Sequence, residues 1–108
     1  MSLAVLLSVV SGCARQKEYS SQQFLMDTVV EITVFGATEE KAREGAAAAF
    51  DEIKRIADLT DRFAHPGSKA FSRSDVCRVN SMAGISPVMV SRDVLTMVEL
   101  SQEYNKIT

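Results

Sequence analysis

Few residues in this sequence combine a type and a spacing that suggest chemistry. Met26 and Thr28 begin an apolar run in the pattern Phe-x-Met-x-Thr, where packing alone would require neither a Met nor a hydroxyl. A structural role is the alternative, since Met often fills cores and Thr is common in strands. The single histidine, His65, lies in a Pro-Gly loop with no second ligand at metal-binding spacing, so no zinc site is expected.

Motifs of several enzyme classes are missing from the sequence. It contains neither of the phosphate-binding glycine patterns, GxxxxGK[ST] and GxGxxG, and no GxSxG nucleophile elbow. Twelve Lys and Arg against 14 Asp and Glu give a net charge of −2, which offers no basic excess for nucleic acid. The 108 residues fit one small soluble domain or part of a larger one.

The N-terminal segment is typical of a secretion signal with a lipid attachment site. The apolar run from Leu3 to Val10 is too short to span a bilayer but has the length of a signal-peptide core. It leads into Val10-Ser-Gly-Cys13, which resembles a bacterial lipobox whose cysteine thiol carries the lipid. No Lys or Arg precedes the run, which leaves the true start codon open.

These features predict a signal peptide over residues 1–12, lipidation of Cys13 and a polar tether over residues 13–23. The protein would then be lipid-anchored to a bacterial cell membrane on its extracytoplasmic or periplasmic side. A piece of a buried helix and an ordinary thiol are the alternatives for this segment. Cys77 is the other cysteine, and we expect it to be a small buried side chain rather than a nucleophile.

Periodicity predicts an α+β fold in the order strand, long helix, short helix, strand, helix. Residues 24–36 are predicted to form one strand, because Val30, Ile32 and Val34 alternate with polar neighbours. Residues 87–90 are predicted to form the second strand. Three side chains are expected to cap the helices, namely Thr38, Ser74 or Asp75, and Ser91.

The apolar positions expected to face the core recur at helical spacing. They are Ala42, Ala46, Ala49, Phe50, Ile53, Ile56 and Ala57 in the long helix, Val76 and Val79 in the short helix, and Val94, Leu95, Val98 and Tyr104 in the last helix.

Five segments in order resemble the ApbE family of FAD:protein FMN transferases. They are Phe24-x-Met-x-Thr28 with its strand, Phe50-Asp-Glu-Ile53, Leu59-Thr-Asp-Arg-Phe63, Ser74-Asp-Val-Cys-Arg-Val-Asn80, and Val88-Met-Val-Ser91 with Glu103-Tyr104. The resemblance covers residues 24–108 and implies the N-terminal part of a T-fold-like flavin transferase domain. It departs from the family where Asp27 replaces Gly, Phe63 replaces a frequent Tyr and Cys77 replaces Ser.

The resemblance implies an activity and a site. Such enzymes transfer FMN from FAD to a Thr or Ser of extracytoplasmic flavoproteins with the help of Mg²⁺ and release AMP. The acceptors include subunits of Na⁺-pumping NADH:quinone oxidoreductase and of the Rnf complex. Met26 and Phe63 would contact FAD, with Phe71 as the alternative aromatic. The membrane, through the lipid, would be a further partner.

The family's Mg²⁺ ligands and catalytic residues lie in a T-G-G-A-F-D segment and beyond, past Thr108, so the resemblance assigns neither here. We therefore expect an incomplete domain that is inactive alone. A non-catalytic exported lipoprotein that acts as a binding module and a gene remnant are the alternatives.

Overall fold

A computed structural model describes residues 17–108 and shows an α+β arrangement of one hairpin and four helices. The elements are β1 (Glu18–Leu25), β2 (Thr28–Phe35), α1 (Glu39–Thr60), α2 (Lys69–Arg73), α3 (Asp75–Met82) and α4 (Arg92–Asn105). The predicted signal peptide over residues 1–12 and the predicted lipidation site Cys13 lie outside the described residues.

The prediction of one strand over residues 24–36 is wrong, because a tight turn divides this stretch. Leu25 pairs with Thr28 across an antiparallel hairpin, which leaves Met26 and Asp27 as the loop. Their φ angles are 51° and 58°, and positive φ at both loop residues suits the twist of hairpin strands. The predicted tether over residues 13–23 is also too long, since β1 begins at Glu18.

The face of β2 that the alternation predicted is the one that packs. Val30, Ile32 and Val34 are half-buried, and α1 lies against both strands. Glu31 and Thr33 point to the other side and are exposed, as expected. The hairpin therefore has one inner face toward the helix and one outer face toward solvent within the part of the chain that is described.

Helix α1 provides the centre of the core. Thr38 caps it, because its side-chain oxygen accepts a hydrogen bond from the N–H of Lys41 at 3.3 Å. Ala42, Ala46 and Phe50 are buried along one stripe, and the small alanines let neighbouring elements approach closely. The predicted stripe is confirmed. Its remaining members are half-buried, namely Ala49, Ile53, Ile56 and Ala57.

Helices α2, α3 and α4 pack against α1, and Ser74 and Ser91 cap α3 and α4 as predicted. Residues 87–90 are not a strand. Pro87 lacks an N–H, and the carbonyl of Met89 accepts a hydrogen bond from Arg78 at 3.1 Å instead of a ladder bond. Two further expectations are right only in part: Val76 is half-buried and Val94 is buried, but α3 and α4 have little else covering them in the described part. Val79 in α3 and Leu95, Val98 and Tyr104 in α4 are exposed.

No helix among residues 17–108 combines the length and the apolar character needed to cross a membrane.

Candidate functional site

A cavity of about 570 Å³ lies between the hairpin turn and the end of α1. It brings together Met26 and Phe63, which are 37 positions apart in the chain. Phe71 does not line this cavity. The lining residues come from two segments, namely Phe24, Leu25, Met26 and Asp27 from the hairpin, and Ala57, Asp58, Thr60, Asp61, Arg62 and Phe63 from the end of α1 and the residues directly after it.

Both candidate contact residues present apolar surface to solvent. Phe63 is 74% exposed and Met26 is 59% exposed. The Arg62 guanidinium carbon lies 4.4 Å from the centre of the Phe63 ring, within the range of a cation–π contact. An exposed aromatic face beside a cation suits a flat ligand that also carries negative charge.

The hairpin turn holds Met26 in a strained backbone conformation. A residue with a Cβ atom at positive φ costs roughly 1 kcal/mol or more relative to glycine. Asp27 tolerates this region better, because Asp and Asn are enriched there. The turn thus keeps a long apolar side chain at the cavity where an Asn-Gly turn would be more stable.

Phe63 is positioned through Asp61, the residue that ends α1. A side-chain oxygen of Asp61 accepts a hydrogen bond from the N–H of Phe63 at 2.8 Å. The carbonyl of Asp61 accepts from the hydroxyl of Ser74 and from the thiol of Cys77, the latter at 3.0 Å. The start of α3 therefore fixes the backbone from which Phe63 projects. Cys77 is buried, as predicted.

Ser74 joins three elements with a fully buried side chain. Its backbone N–H donates to the carbonyls of Ala70 and Phe71 in α2, at 3.0 and 3.2 Å. Its hydroxyl accepts from the N–H of Cys77 at 3.1 Å and donates to the end of α1. No pattern in the sequence predicts the hydrogen bond from the Ser74 hydroxyl to the Asp61 carbonyl, because the two residues are far apart in the chain.

Asp75 is a buried carboxylate, 2% exposed, that holds α3 to the start of α4. It accepts the backbone N–H of Ser91 at 2.7 Å and forms an ion pair with Arg78. Burial alone would raise the pKa of Asp75, but hydrogen bonds from Ser91 and Arg78 outweigh it and hold the pKa below its ordinary value.

The charges around the cavity are mostly negative. Asp27, Asp58 and Asp61 line it, and among residues 17–108 Arg62 is the only basic residue that does so. A carboxylate oxygen of Asp58 lies 3.8 Å from Nε of Arg73, and the carboxylate of Asp61 accepts a hydrogen bond from the N–H of Phe63. Among residues 17–108 no three Asp, Glu, His or Cys side chains converge on a point where they would hold a metal ion. These residues do not fit a Mg²⁺ site.

A larger groove of about 820 Å³ lies elsewhere, between α3, residues 83–88 and α4. It contains neither Met26 nor Phe63, and its lining is almost entirely apolar. Binding sites combine apolar walls with a few placed polar groups. The smaller cavity has that combination, so we take it as the candidate site despite its size.

Comparison with known families gives one finding. The sequence model of the ApbE family matches residues 26–108, a range that begins at Met26 and includes the whole wall formed by the end of α1. No curated protein and no solved structure shows significant similarity to the chain.

Proposed function

Because the chain belongs to the ApbE family, we propose that it takes part in moving FMN from FAD to a Thr or Ser of an extracytoplasmic flavoprotein. The acceptors would be proteins of the Na⁺-pumping NADH:quinone oxidoreductase or Rnf type. The observation that supports this proposal is the shared cavity of Met26 and Phe63, the two residues that the resemblance to the family implies as flavin contacts.

In this reaction the acceptor hydroxyl oxygen bonds to the FMN phosphorus of FAD. The bond from that phosphorus to the bridging oxygen breaks, AMP leaves with the electron pair of that bond, and the hydroxyl proton is released to solvent. The residues described here would hold the flavin, since an exposed ring and a thioether offer flat and adaptable apolar contacts.

The test is incubation of the full-length protein, with any residues that follow Thr108 included, with FAD, Mg²⁺ and an acceptor domain. Flavin fluorescence and mass measurement of the denatured acceptor then detect transfer. We expect covalent flavin on the acceptor with FAD and none with FMN, because FMN has no phosphoanhydride bond to break. Tight FAD binding without any transfer would overturn the transferase proposal and favour a non-catalytic binding module.

Variants connect the activity to the cavity. Phe63→Ala should weaken FAD binding, because it removes the exposed ring at the cavity. Phe35→Ala is the matched control, since Phe35 is also an exposed aromatic but lies at the far end of β2, outside the cavity. Equal effects of the two substitutions would contradict the assignment of Phe63.

The exposed apolar surface supports a second part of the proposal, that residues 24–108 are the N-terminal part of a T-fold-like domain. Large apolar side chains lie open on both the hairpin and α4. They include Phe24, Val29 and Phe35 on the hairpin and Leu95, Val98, Leu100 and Tyr104 on α4. Surfaces of this kind usually contact further protein. Residues 17–108 produced alone should bind hydrophobic dyes or self-associate. A monomer that unfolds cooperatively and binds no dye would contradict this view.

Attachment to the membrane is proposed through the Cys13 thiol. Its support is the sequence pattern Val10-Ser-Gly-Cys13 and the apolar run before it. In a bacterial host the protein should partition into detergent, and Cys13→Ser should move it to the aqueous phase. Detergent partition of the Cys13→Ser variant would overturn the anchor.

A further inference from the structure

Arg62 is a cation without a carboxylate partner in the part of the chain that the structure describes. Four other arginines there form ion pairs, namely Arg43, Arg55, Arg73 and Arg78. The aspartates nearest to Arg62 in the chain are occupied, since Asp61 caps Phe63 and Asp58 faces Arg73. Asp27 lines the same cavity but forms no ion pair with Arg62.

Arg62 differs from an ordinary solvated surface charge, because it lines the cavity and contacts an aromatic ring. Its guanidinium lies over the Phe63 ring at 4.4 Å, so the side chain rests on the aromatic at the cavity. A cation–π contact leaves the N–H groups at the edge of the guanidinium plane free to donate. That edge offers the fork of donors that fits two oxygens of a phosphate group.

The charges that line the cavity indicate which part of a ligand the Arg62 donors would contact. Three aspartates line the walls, so a ligand with two phosphate charges would be repelled unless a cation compensates. Among the lining residues in the described part of the chain, Arg62 is the one basic side chain that can do so. We infer that Arg62 is a specificity-determining residue that contacts the pyrophosphate of the dinucleotide, while Phe63 and Met26 contact its rings. This inference depends on the proposed function.

The inference predicts a split between ligands with and without phosphate. In the full-length protein with Mg²⁺ in every sample, Arg62→Gln should weaken FAD binding about tenfold, the loss typical of a hydrogen bond to a charged group. Binding of riboflavin, which has the same ring system and no phosphate, should change less than about twofold. Arg62→Lys should fall between wild type and Arg62→Gln for FAD, because it keeps the charge and loses the fork.

Arg92→Gln is the matched control. Arg92 is also exposed and has no ion pair among residues 17–108, but it begins α4 and does not line the cavity. It should leave the binding of both ligands unchanged. Raising the salt concentration should weaken FAD binding in wild type and have a smaller effect in Arg62→Gln, because screening acts on the same charge pair.

The outcomes separate this inference from the proposed function. Unchanged FAD binding in Arg62→Gln overturns the role of Arg62 and leaves the flavin site standing. An equal loss of FAD and riboflavin binding also overturns it, since Arg62 would then act only by supporting the Phe63 ring. If the wild-type protein binds neither ligand, the proposed function fails and this inference fails with it.

Discussion

The junction between α2 and α3 buries polar groups and pairs them, whereas the cavity at the hairpin turn leaves apolar groups exposed. Ser74 and Asp75 are almost inaccessible, and each accepts a hydrogen bond from a helix N-terminus or a loop N–H. Met26 and Phe63 are more than half exposed, and Met26 also sits at positive φ. The junction is built like a stable interior, because its buried polar groups are hydrogen-bonded. The cavity differs, because its apolar side chains are exposed and one of them has a strained backbone.

This difference teaches where stability and binding reside in the molecule. Substitutions at the junction or in the core should change the free energy of unfolding, and substitutions at the cavity should change it little. Asp61 belongs to both regions, because its carbonyl is held by the junction and its side chain holds Phe63.

The largest effect should come from the core. Phe50→Ala removes a side chain that is only 1% exposed and should lower the free energy of unfolding by about 3–5 kcal/mol. Phe63→Ala, the same change on an exposed ring, should cost less than about 0.5 kcal/mol. Urea denaturation followed by circular dichroism measures both. Similar losses at the two positions would mean that Phe63 is part of the packed core.

Asp75→Ala should have the next largest effect, about 3 kcal/mol. It would leave Arg78 and the N–H of Ser91 without their buried acceptor. The control is Asp93→Ala, which breaks the exposed ion pair between Asp93 and Arg55 and should lower the free energy of unfolding far less than Asp75→Ala does, because solvent screens an exposed pair. A small loss at Asp75 would show that the junction is not what fixes α4.

The stability should also depend on pH through Asp75. Its pKa is lower in the folded protein, so the carboxylate stabilises the fold above its unfolded pKa, near 3.8, and this stabilisation disappears as the pH falls through the folded pKa. The difference in unfolding free energy between wild type and Asp75→Asn should therefore shrink below about pH 3.8.

Unfolding curves of wild type and Asp75→Asn between neutral and acidic pH measure this difference. The comparison is needed because Arg55 also lowers the pKa of Asp93 and of Glu52, which add their own acid dependence to both proteins. If the difference in unfolding free energy between the two proteins stays constant down to the lowest pH, Asp75 is not ionised in the folded protein.

The smallest effect should be an increase in stability at the turn. Met26→Asn replaces a residue that is strained at positive φ by one that tolerates it, and should stabilise the protein by about 0.5 kcal/mol. The same change should weaken flavin binding. Val29→Asn serves as the control, because Val29 is equally exposed but lies in regular strand, where Asn is unfavourable. Loss of stability in Met26→Asn would show that the Met26 side chain packs.

Local features of the fold were predictable from the sequence, and contacts between distant segments were not. The caps at Thr38, Ser74 and Ser91 involve residues three positions apart, so the pattern of side chains is sufficient to find them. The hairpin was missed because Met-Asp is not a usual turn pair and because the β1 strand is polar. Only the positive-φ tolerance of Asp27 could have signalled it.

The candidate site shows the same limit. Periodicity gave no reason to bring Met26 and Phe63 together, and the family resemblance alone pointed to both. The support of Phe63 by Ser74 and Cys77 depends on how α3 packs against the end of α1, which no local pattern encodes. The exposed apolar stripe of α4 has the same cause: helical spacing predicts that the helix has an apolar face, but it does not predict which element covers that face.

The shared hydroxyl and N–H of Ser74 have a consequence for the dynamics of the molecule. Helix α2 has five residues, too few to be stable alone, and its last carbonyls depend on the Ser74 N–H while α3 begins on the Ser74 hydroxyl. The two helices should therefore open together. Amide hydrogen exchange at Ser74 and Cys77 should proceed at one common opening rate, so that a single residue sets the local timescale next to the candidate site.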